Sequence, residues 1–526
     1  MAQNVRIQLA LAGAFAMSVT MAQQDGKLIV LPGLDSTQLI TAVPRPGEGY
    51  LLLTRQVGTL NAGATLIATD QAGEPVTALH SPETIVNLIT CSDGGFLAYS
   101  GSRTLLKMDH DLNVEWATTL QAPPLTWSGG ELAERNGTYY MAGNVKSQLI
   151  DTFQINYGTY AAALFEFDGS GHLTDHVIIA DTTHTSFQYN LYQPKLVAGD
   201  VGSVYMALNM LPDAMAGTCN RQPAVVKFNA DLDVQWSSRY LPSTYNGLNG
   251  MCLLPTGDLL LYGNHGYANG SCNNFRNYIG VIDTAGTVLF VKSYRHVDPL
   301  SHTSGRPVVL EDGGLLFPAS HSTTFPYVNT RFFHRVDAQG NTVASMLFTQ
   351  PSGFNFTTQL AAGDSGLTGA FRMNAPDTLF FAAIDTSLTT QCYSLPDAVI
   401  DSAIALTPLA FTPHYLEHNF VFADTVYTFT PAVAIALPAC DFSTSLPAID
   451  TEDVRVLPNP SAGDVWVESA ALVQELLITD ALGRVVLHAL PCTDRVAVQL
   501  AQPGMYLVRA SIGGVVKVRK LAIQGP

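Results

Sequence analysis

The sequence predicts an all-β protein: a seven-bladed β-propeller, with an eighth blade left open, followed by a small C-terminal β-sandwich. Three observations predict it. A four-stranded unit recurs along most of the chain, and turns of one chemistry fall at intervals between residues 70 and 385. The composition, 13% charged residues with 43 Gly and 29 Pro, suits many short strands joined by tight turns. At 526 residues the chain is also too long for one ordinary core, so a repeat array or several domains is expected.

The unit is clearest in Val201-Gly-Ser-Val-Tyr-Met-Ala-Leu208 and Ala224-Val-Val-Lys-Phe-Asn-Ala-Asp-Leu-Asp-Val-Gln-Trp236. An Asp or Asn closes one strand and a Gly or Leu follows three residues later. Such turns occur at Asp70/Gly73, Asp109/Leu112, Asp168/Gly171, Asn229/Leu232, Asp283/Gly286, Asp337/Gly340 and Asp385/Leu388. An Asx side chain bonds the backbone two residues on and Gly supplies positive φ, which makes this a hairpin turn. Before each lies a Gly turn (Gly47, Gly94, Gly137, Gly202, Gly257, Gly313, Gly366) and, ahead of that, an apolar segment such as Thr84-Ile-Val-Asn-Leu-Ile89 or Arg306-Pro-Val-Val-Leu310. After each comes a last strand, as in Val114-Glu-Trp116, Val234-Gln-Trp236 and Val288-Leu-Phe290. Four-stranded units about 50 residues apart are the signature of a propeller, whose blades bury their faces only against one another.

An eighth blade could be assembled from Lys27-Leu-Ile-Val-Leu31 and strands between Ile400 and Ala439. The longer repeats carry insertions at Asn144 to Thr159 and Asn209 to Pro223, expected on a binding rim. From Pro396 to Asp450 the repeat is lost, and strand-like runs between prolines read as a closing segment ending in a linker, Ser443 to Asp453. The expected division is a signal peptide over 1–22, the propeller over 23–395, a closing segment and linker over 396–453, and a separate β domain over 454–526.

Residues Met1 to Ala22 combine Arg6, an apolar run from Leu9 and small residues before Gln23, a secretory signal cleaved after Ala22. No later run is apolar and long enough to predict a membrane span, and the mean hydropathy of +0.17 reads as many buried strands. A net charge of −17 argues against nucleic acid or an anionic membrane as a partner through a general positive field.

Seven cysteines in an exported chain permit disulfides. Cys219 and Cys272 sit in corresponding connections of neighbouring repeats and are expected to pair. They would close a loop of roughly 50 residues, for which the chain-entropy account gives about 4 kcal/mol. Cys392 and Cys440 bracket the closing segment as a second candidate staple. Cys91 and Cys252 lie in apolar strands and read as buried free thiols.

The tail carries four motifs in order: Leu457-Pro458-Asn459-Pro460, Asp480-Ala-Leu-Gly483-Arg484-Val-Val486, Pro503-Gly504-Met-Tyr506-Leu-Val-Arg509 and Lys517-Val-Arg-Lys520-Leu-Ala-Ile523. In these it resembles the C-terminal sorting domain of the type IX secretion system of Gram-negative bacteria. The resemblance covers residues 454–526 and implies a β-sandwich recognised by the type IX machinery at the outer membrane, with the cargo released or attached to the cell surface.

Catalytic signatures are outweighed by plainer readings. Gly363-Asp364-Ser365-Gly366 looks like the nucleophile string of trypsin-like proteases, but it occupies the Gly turn of its repeat and has no placed His and Asp partners. His414-Tyr-Leu-Glu417-His418 fits a metal-binding string that requires a helix, yet follows Pro413 in strand-like surroundings. Asp109-His-Asp111-Leu-Asn113 begins like a calcium loop, but Val114 stands where the turn Gly belongs and Leu120 where the bidentate Glu belongs. His172, His176, His184, His321 and His334 are scattered, and Trp116 and Trp236 read as inter-blade core. No catalytic, metal or cofactor set is predicted. The expected function is a surface or extracellular binding or adhesion module for glycan or protein, with a secreted hydrolase or lyase, its site in the propeller funnel, as the alternative.

Overall fold

The computed structural model describes residues 27–438 and 454–524, except 32–36, 57–62, 122–125, 147–159, 181–188, 200–201, 213–221, 243–245, 267–274, 297–300, 323–328, 349–357, 364–365, 373–377, 385–387, 389–393, 397–398, 417–419, 462, 481–483, 492, 501 and 513–514. Two compact units divide it, Met1–Cys440 and Asp441–Pro526. The predicted insertions and the linker fall largely or wholly outside the described residues.

The first unit is a β-propeller, and all the described secondary structure in both units is strand. Each sheet is an antiparallel meander named here by its Asx turn. The Asp70 sheet comprises Thr37–Arg45, Gly49–Gln56, Ala64–Asp70 and Pro75–Ser81. The Asp109 sheet comprises Ile85–Thr90, Phe96–Ser100, Thr104–Met108 and Val114–Leu120. The Asp168 sheet runs from Thr126–Arg135 through Thr138–Lys146 and Tyr160–Phe167 to Leu173–Ala180. The Asn229 sheet runs from Tyr189–Ala198 through Val204–Pro212 and Gln222–Phe228 to Val234–Pro242. The Asp283 sheet follows with Asn246–Leu253, Leu259–Gly266, Phe275–Ile282 and Val288–His296. In the Asp337 sheet the inner strand is split into Ser301–Ser304 and Val308–Val309, ahead of Leu315–Ser322, Asn329–Val336 and Thr342–Phe348. The closing sheet takes three strands, Thr358–Gly363, Gly366–Arg372 and Thr378–Ile384, from late in the chain and its fourth, Lys27–Val30, from the beginning. Lys27–Val30 is therefore the clasp of the ring and founds no blade of its own, which removes the eighth blade considered above.

The turns carry the predicted chemistry with one refinement. In the six described turns the Asx Oδ1 accepts the amide four residues on, at 2.7–3.0 Å. In four of them the amide two residues on is bound as well. The third residue after the Asx has positive φ whatever its identity, from 52° at Leu388 to 85° at Gly286. A left-handed Leu costs about 1–2 kcal/mol, so Leu112, Leu232 and Leu388 require a compensating contact.

The neighbouring sheet supplies it. Seven residues beyond the turn Asx, in the last strand of the sheet, Trp116, Trp236 and Phe290 reach across to the turn of the following sheet. There stand Gly171, Gly286 and Gly340, where an added Cβ would come within 2.5 Å of Trp116, 3.1 Å of Trp236 and 2.8 Å of Phe290. The Trp116 indole N–H donates to the Gly169 carbonyl at 3.0 Å, and that of Trp236 to Thr284 at 2.9 Å. At the same position the other sheets carry Thr77, Asp175 and Ala344. The turns that follow those hold Leu112, Leu232 and Leu388, each no more than 8% exposed. A large residue on one side thus meets Gly on the other, and a small one meets Leu. Burying a Leu side chain contributes about 2 kcal/mol, enough to offset its strained backbone.

The closing segment forms neither a blade nor a loop. It travels back around the ring in reverse order and adds one antiparallel outer strand to every sheet in turn. Ser394–Pro396 pairs with Thr342–Phe348, Val399–Ala403 with Val288–His296, and Leu406–Ala410 with Val234–Pro242. His414–Leu416 pairs with Leu173–Ala180, Phe422–Asp424 with Val114–Leu120, Thr430–Pro431 with Pro75–Ser81, and Ile435–Pro438 with Lys27–Val30. Along its length it places apolar side chains in successive sheet–sheet junctions: Val399, Leu406, Phe411, Phe420 with Phe422, Tyr427 with Phe429, and Ala434. Asp401 adds an ion pair to Lys292 at 3.2 Å. This belt covers the edge that each four-stranded blade would otherwise present, and its own strands are short and broken by Pro396, Pro408, Pro431 and Pro438, which blunt the new edge.

In the second unit, Asp464–Asp480 is a 17-residue strand shared by the rest of a six-stranded sheet. Its first part pairs with Val454–Leu457 and Thr493–Gln499, its second with Val485–Ala489 and Gly504–Ile512. Val515–Ile523 flanks Gly504–Ile512. Val467, Val473, Leu476, Ile478, Ala510 and Leu521 are fully buried at its core.

Two predictions follow from the inter-sheet contacts. Gly171→Leu should destabilise the propeller by about 2–4 kcal/mol through overpacking and a left-handed Leu. Combined with Trp116→Thr it should recover at least about 1 kcal/mol relative to additivity; urea melts of the four-member cycle read this directly, and additive values would reject the size-matching rule. Phe420→Ala in the belt should lower stability by about 3 kcal/mol, seen in the same melts, because it empties the junction between the Asp109 and Asp168 sheets.

Candidate functional site

The inner strands surround a central channel of about 830 Å³. In five of them the pairing register slips: between Leu39 and Thr41, Ile85 and Asn87, Gly129 and Glu131, Tyr192 and Lys195, and Leu248 and Gly250. In the Asp337 sheet the inner strand breaks between Ser304 and Val308. A bulge leaves one residue out of the ladder and re-aims it. The residues so released, Ile40, Val86, Gly130, Pro194, Asn249 and Arg306, all line the channel.

Neighbouring sheets hold the bulges open. The Asn87 amide donates to the Gly130 carbonyl at 2.9 Å, while Asn87 Oδ1 accepts from Leu88. Asn209 of the Asn229 sheet donates to the Leu248 carbonyl at 2.8 Å and accepts the Leu248 amide at 2.7 Å. At Gly130, with φ at 138°, a Cβ would strike the Tyr99 ring, and the Tyr99 hydroxyl is itself fixed by the Trp127 indole at 2.7 Å.

The lining is two-sided. Ile40 and Val86, from adjacent sheets, form an apolar arc. Glu131 and Lys195 form an ion pair across the next junction, each side chain less than a third exposed. Asn249 and Arg306 complete a polar arc. Arg306 is exposed and makes no hydrogen bond or ion pair among the described residues. Its charge acts against the burial that pushes the nearby Tyr262 hydroxyl upward and the Cys252 thiol up to about 11. Glu131 is the one carboxylate among the described lining residues, and it is already engaged by Lys195.

A second polar cluster is structural. The Lys107 ammonium, 1% exposed, lies 2.8 Å from Asp93 and 3.0 Å from Glu115. Burial opposes its charge, but the two carboxylates hold its ionisation above the ordinary lysine value. Burial likewise works to raise Asp93, yet bonds from Lys107 and the Gly95 amide keep it below the usual carboxylate range. Burial pushes the adjacent Cys91 thiol up to about 12. Both Cys91 and Cys252 are free, whereas Cys219, Cys272, Cys392 and Cys440 lie outside the described residues.

The catalytic-looking strings resolve into repeat structure. Gly363 and Gly366 face each other across a strand pair, and Asp364 and Ser365 lie outside the described residues. His414 opens a belt strand, His414–Leu416, and Glu417 and His418 of its string lie outside the described residues. Asp109 and Asn113 close a turn, with Asn113 donating to Asp109 Oδ2 at 2.9 Å. His172 sits on its turn against Ser170, His176 packs on Phe165 and Phe420, and His334 is buried beside Tyr294 and Phe317. His321 pairs with His302 across two strands of the Asp337 sheet, and His184 lies outside the described residues. Trp116 and Trp236 are inter-sheet contacts, as their spacing predicts.

In the second unit the tail motifs fasten its two ends together. Leu457–Pro458 and Asn459–Pro460 are cis. The Asn459 side chain donates to the Lys520 carbonyl at 2.6 Å and accepts the Ala522 amide at 3.0 Å, so the first motif is tied to the last strand. Asp480 accepts from the Arg484 amide and, at 2.7 Å, from its guanidinium. The Tyr506 hydroxyl donates to the Gln502 carbonyl at 2.8 Å, close to Gly504. Lys517 and Lys520 lie on the last strand, and Gly483 falls outside the described residues.

No curated protein matches the chain. Among solved structures it is similar to the Dos1 propeller (9% identity, 70% of this chain and 96% of that one, TM-score 0.41). It is also similar to a PL25 polysaccharide lyase, an ulvan lyase (9% identity, 69% and 95%, TM-score 0.41), and to an α-L-arabinanase of Penicillium chrysogenum (12% identity, 69% and 98%, TM-score 0.39). At such scores these likenesses carry nothing about activity. Residues 455–524 match the family model of the secretion system C-terminal sorting domain. The C-terminal unit is accordingly a type IX secretion sorting domain, and the chain is a β-propeller protein secreted from the cell or attached to its outer surface.

Proposed function

We propose that the chain is an exported seven-bladed β-propeller that acts as a binding module, taking a glycan or protein ligand at the mouth of its central channel. In this reading the split-strand Asp337 sheet counts as a full blade. The signal peptide spans 1–22, the propeller 23–395, the belt and linker 396–453, and the sorting domain, a β-sandwich, 454–526. The oxidising exterior suits the pairing of Cys219 with Cys272 and a staple from Cys392 and Cys440.

One observation supports the binding reading: five bulges and one strand break bring six residues to one channel, and among the described lining residues they offer hydrogen-bonding and apolar surface around a single, already paired carboxylate. Glycoside hydrolysis ordinarily requires two opposed carboxylates. The second reading, a secreted hydrolase or lyase with its site in the same funnel, is tested alongside. Full-length protein is applied to panels of immobilised glycans and extracellular proteins, and every bound ligand is recovered and sized. The expected result is saturable binding with the ligand recovered intact. Shortened or unsaturated saccharide products would replace the module with the enzyme, and no binding in either panel would overturn both.

A further inference from the structure

Building on the binding reading, we propose that the ligand is an acidic glycan, and that Arg306 receives one of its carboxylate or sulfate groups inside the channel. The argument is electrostatic first. The chain as a whole carries −17, a field that disfavours polyanions, yet the described channel lining holds Glu131, Lys195 and Arg306 and so bears a local excess of one positive charge. Glu131 pairs with Lys195, which leaves Arg306, among the described lining residues, as the charge available to a ligand.

Its position is built by the fold. The inner strand of the Asp337 sheet is interrupted between Ser304 and Val308, and Arg306 stands in the gap, lining the same channel as the residues released by the bulges of five other inner strands. A guanidinium presents a planar fork matched to a carboxylate or sulfate. Asn249, released by the bulge of the neighbouring sheet, lines the same channel, and Thr41 and Ser128 add hydroxyls elsewhere on the wall. The apolar arc of Ile40 and Val86 offers a face for the C–H surface of a sugar ring. Hydroxyls and an apolar arc facing the one unpaired cation among the described lining residues fit a charged saccharide better than an acidic peptide, whose side chains would call for a further cation.

The test measures binding of full-length protein and its Arg306→Gln and Arg306→Lys variants to polygalacturonate, carrageenan, neutral dextran and polyglutamate, with thermal melts confirming that each variant is folded. Loss of a charged hydrogen bond corresponds to a weakening of about ten- to a hundredfold. That loss is expected for Arg306→Gln on polygalacturonate or carrageenan, with partial recovery in Arg306→Lys and with the acidic glycan bound more tightly than dextran. Equal binding of dextran, unaffected by either variant, would overturn the anionic assignment while leaving a glycan-binding module. Polyglutamate bound as well as the glycans would overturn the saccharide assignment. If none of these polymers binds but an extracellular protein from the broader panel does, the glycan inference fails and the binding module survives.

Discussion

A four-stranded antiparallel blade has two apolar faces, which are unfavourable in water, and two edges whose unpaired N–H and C=O groups invite pairing with other strands. Faces must meet neighbouring faces, which makes a ring obligatory, and the ring must be shut by a strand from far away in sequence. Lys27–Val30 performs that closure. The outer edges remain, and here the chain spends its last propeller residues on a belt that pairs with each sheet in reverse order. Faces and edges are thus solved by different segments, and the belt couples them by inserting Phe411, Phe420 and Leu406 where two faces meet.

The same need for close contact between faces explains why the repeat is irregular in sequence. A turn position that must have positive φ would ordinarily be Gly, yet three are Leu. Each Leu follows a sheet that lacks an aromatic at the facing position, so volume is conserved across the junction even though neither residue is. Backbone strain at Leu112 or Leu232 is tolerated because burial of the side chain outweighs it.

At the ring's axis the constraint reverses. The inner strands converge, and five of them slip in register while a sixth is broken, bringing a residue of each to the channel. A site made this way draws single residues from successive sheets spread over nearly 270 positions of sequence, from Ile40 to Arg306. The sorting domain is simpler: Asn459 ties its first motif to its last strand, and so four short motifs belong to one hydrogen-bonded structure.

The local rules were legible in the chain. Asx turns, Gly turns, the four-strand unit, the inter-sheet role of Trp116 and Trp236, the free thiols and the sorting motifs all depend on residues within a few positions of one another or on a motif set with fixed order. Gly130, Pro194, Asn249 and the Gly305-Arg306-Pro307 break carried a signal for the bulges, since such residues inside a strand mark them, but Ile40 and Val86 carried none. The belt could be seen as strand-like runs between prolines, not as partners of particular sheets. Pairings across hundreds of residues leave no local trace, because any short apolar strand can occupy any open edge. By itself the sequence determined the repeat, its turns and the export route; only the tertiary structure decided how the ring closes, what guards its rim and which side chains share its channel, because those follow from long-range pairing and packing that no window of sequence contains.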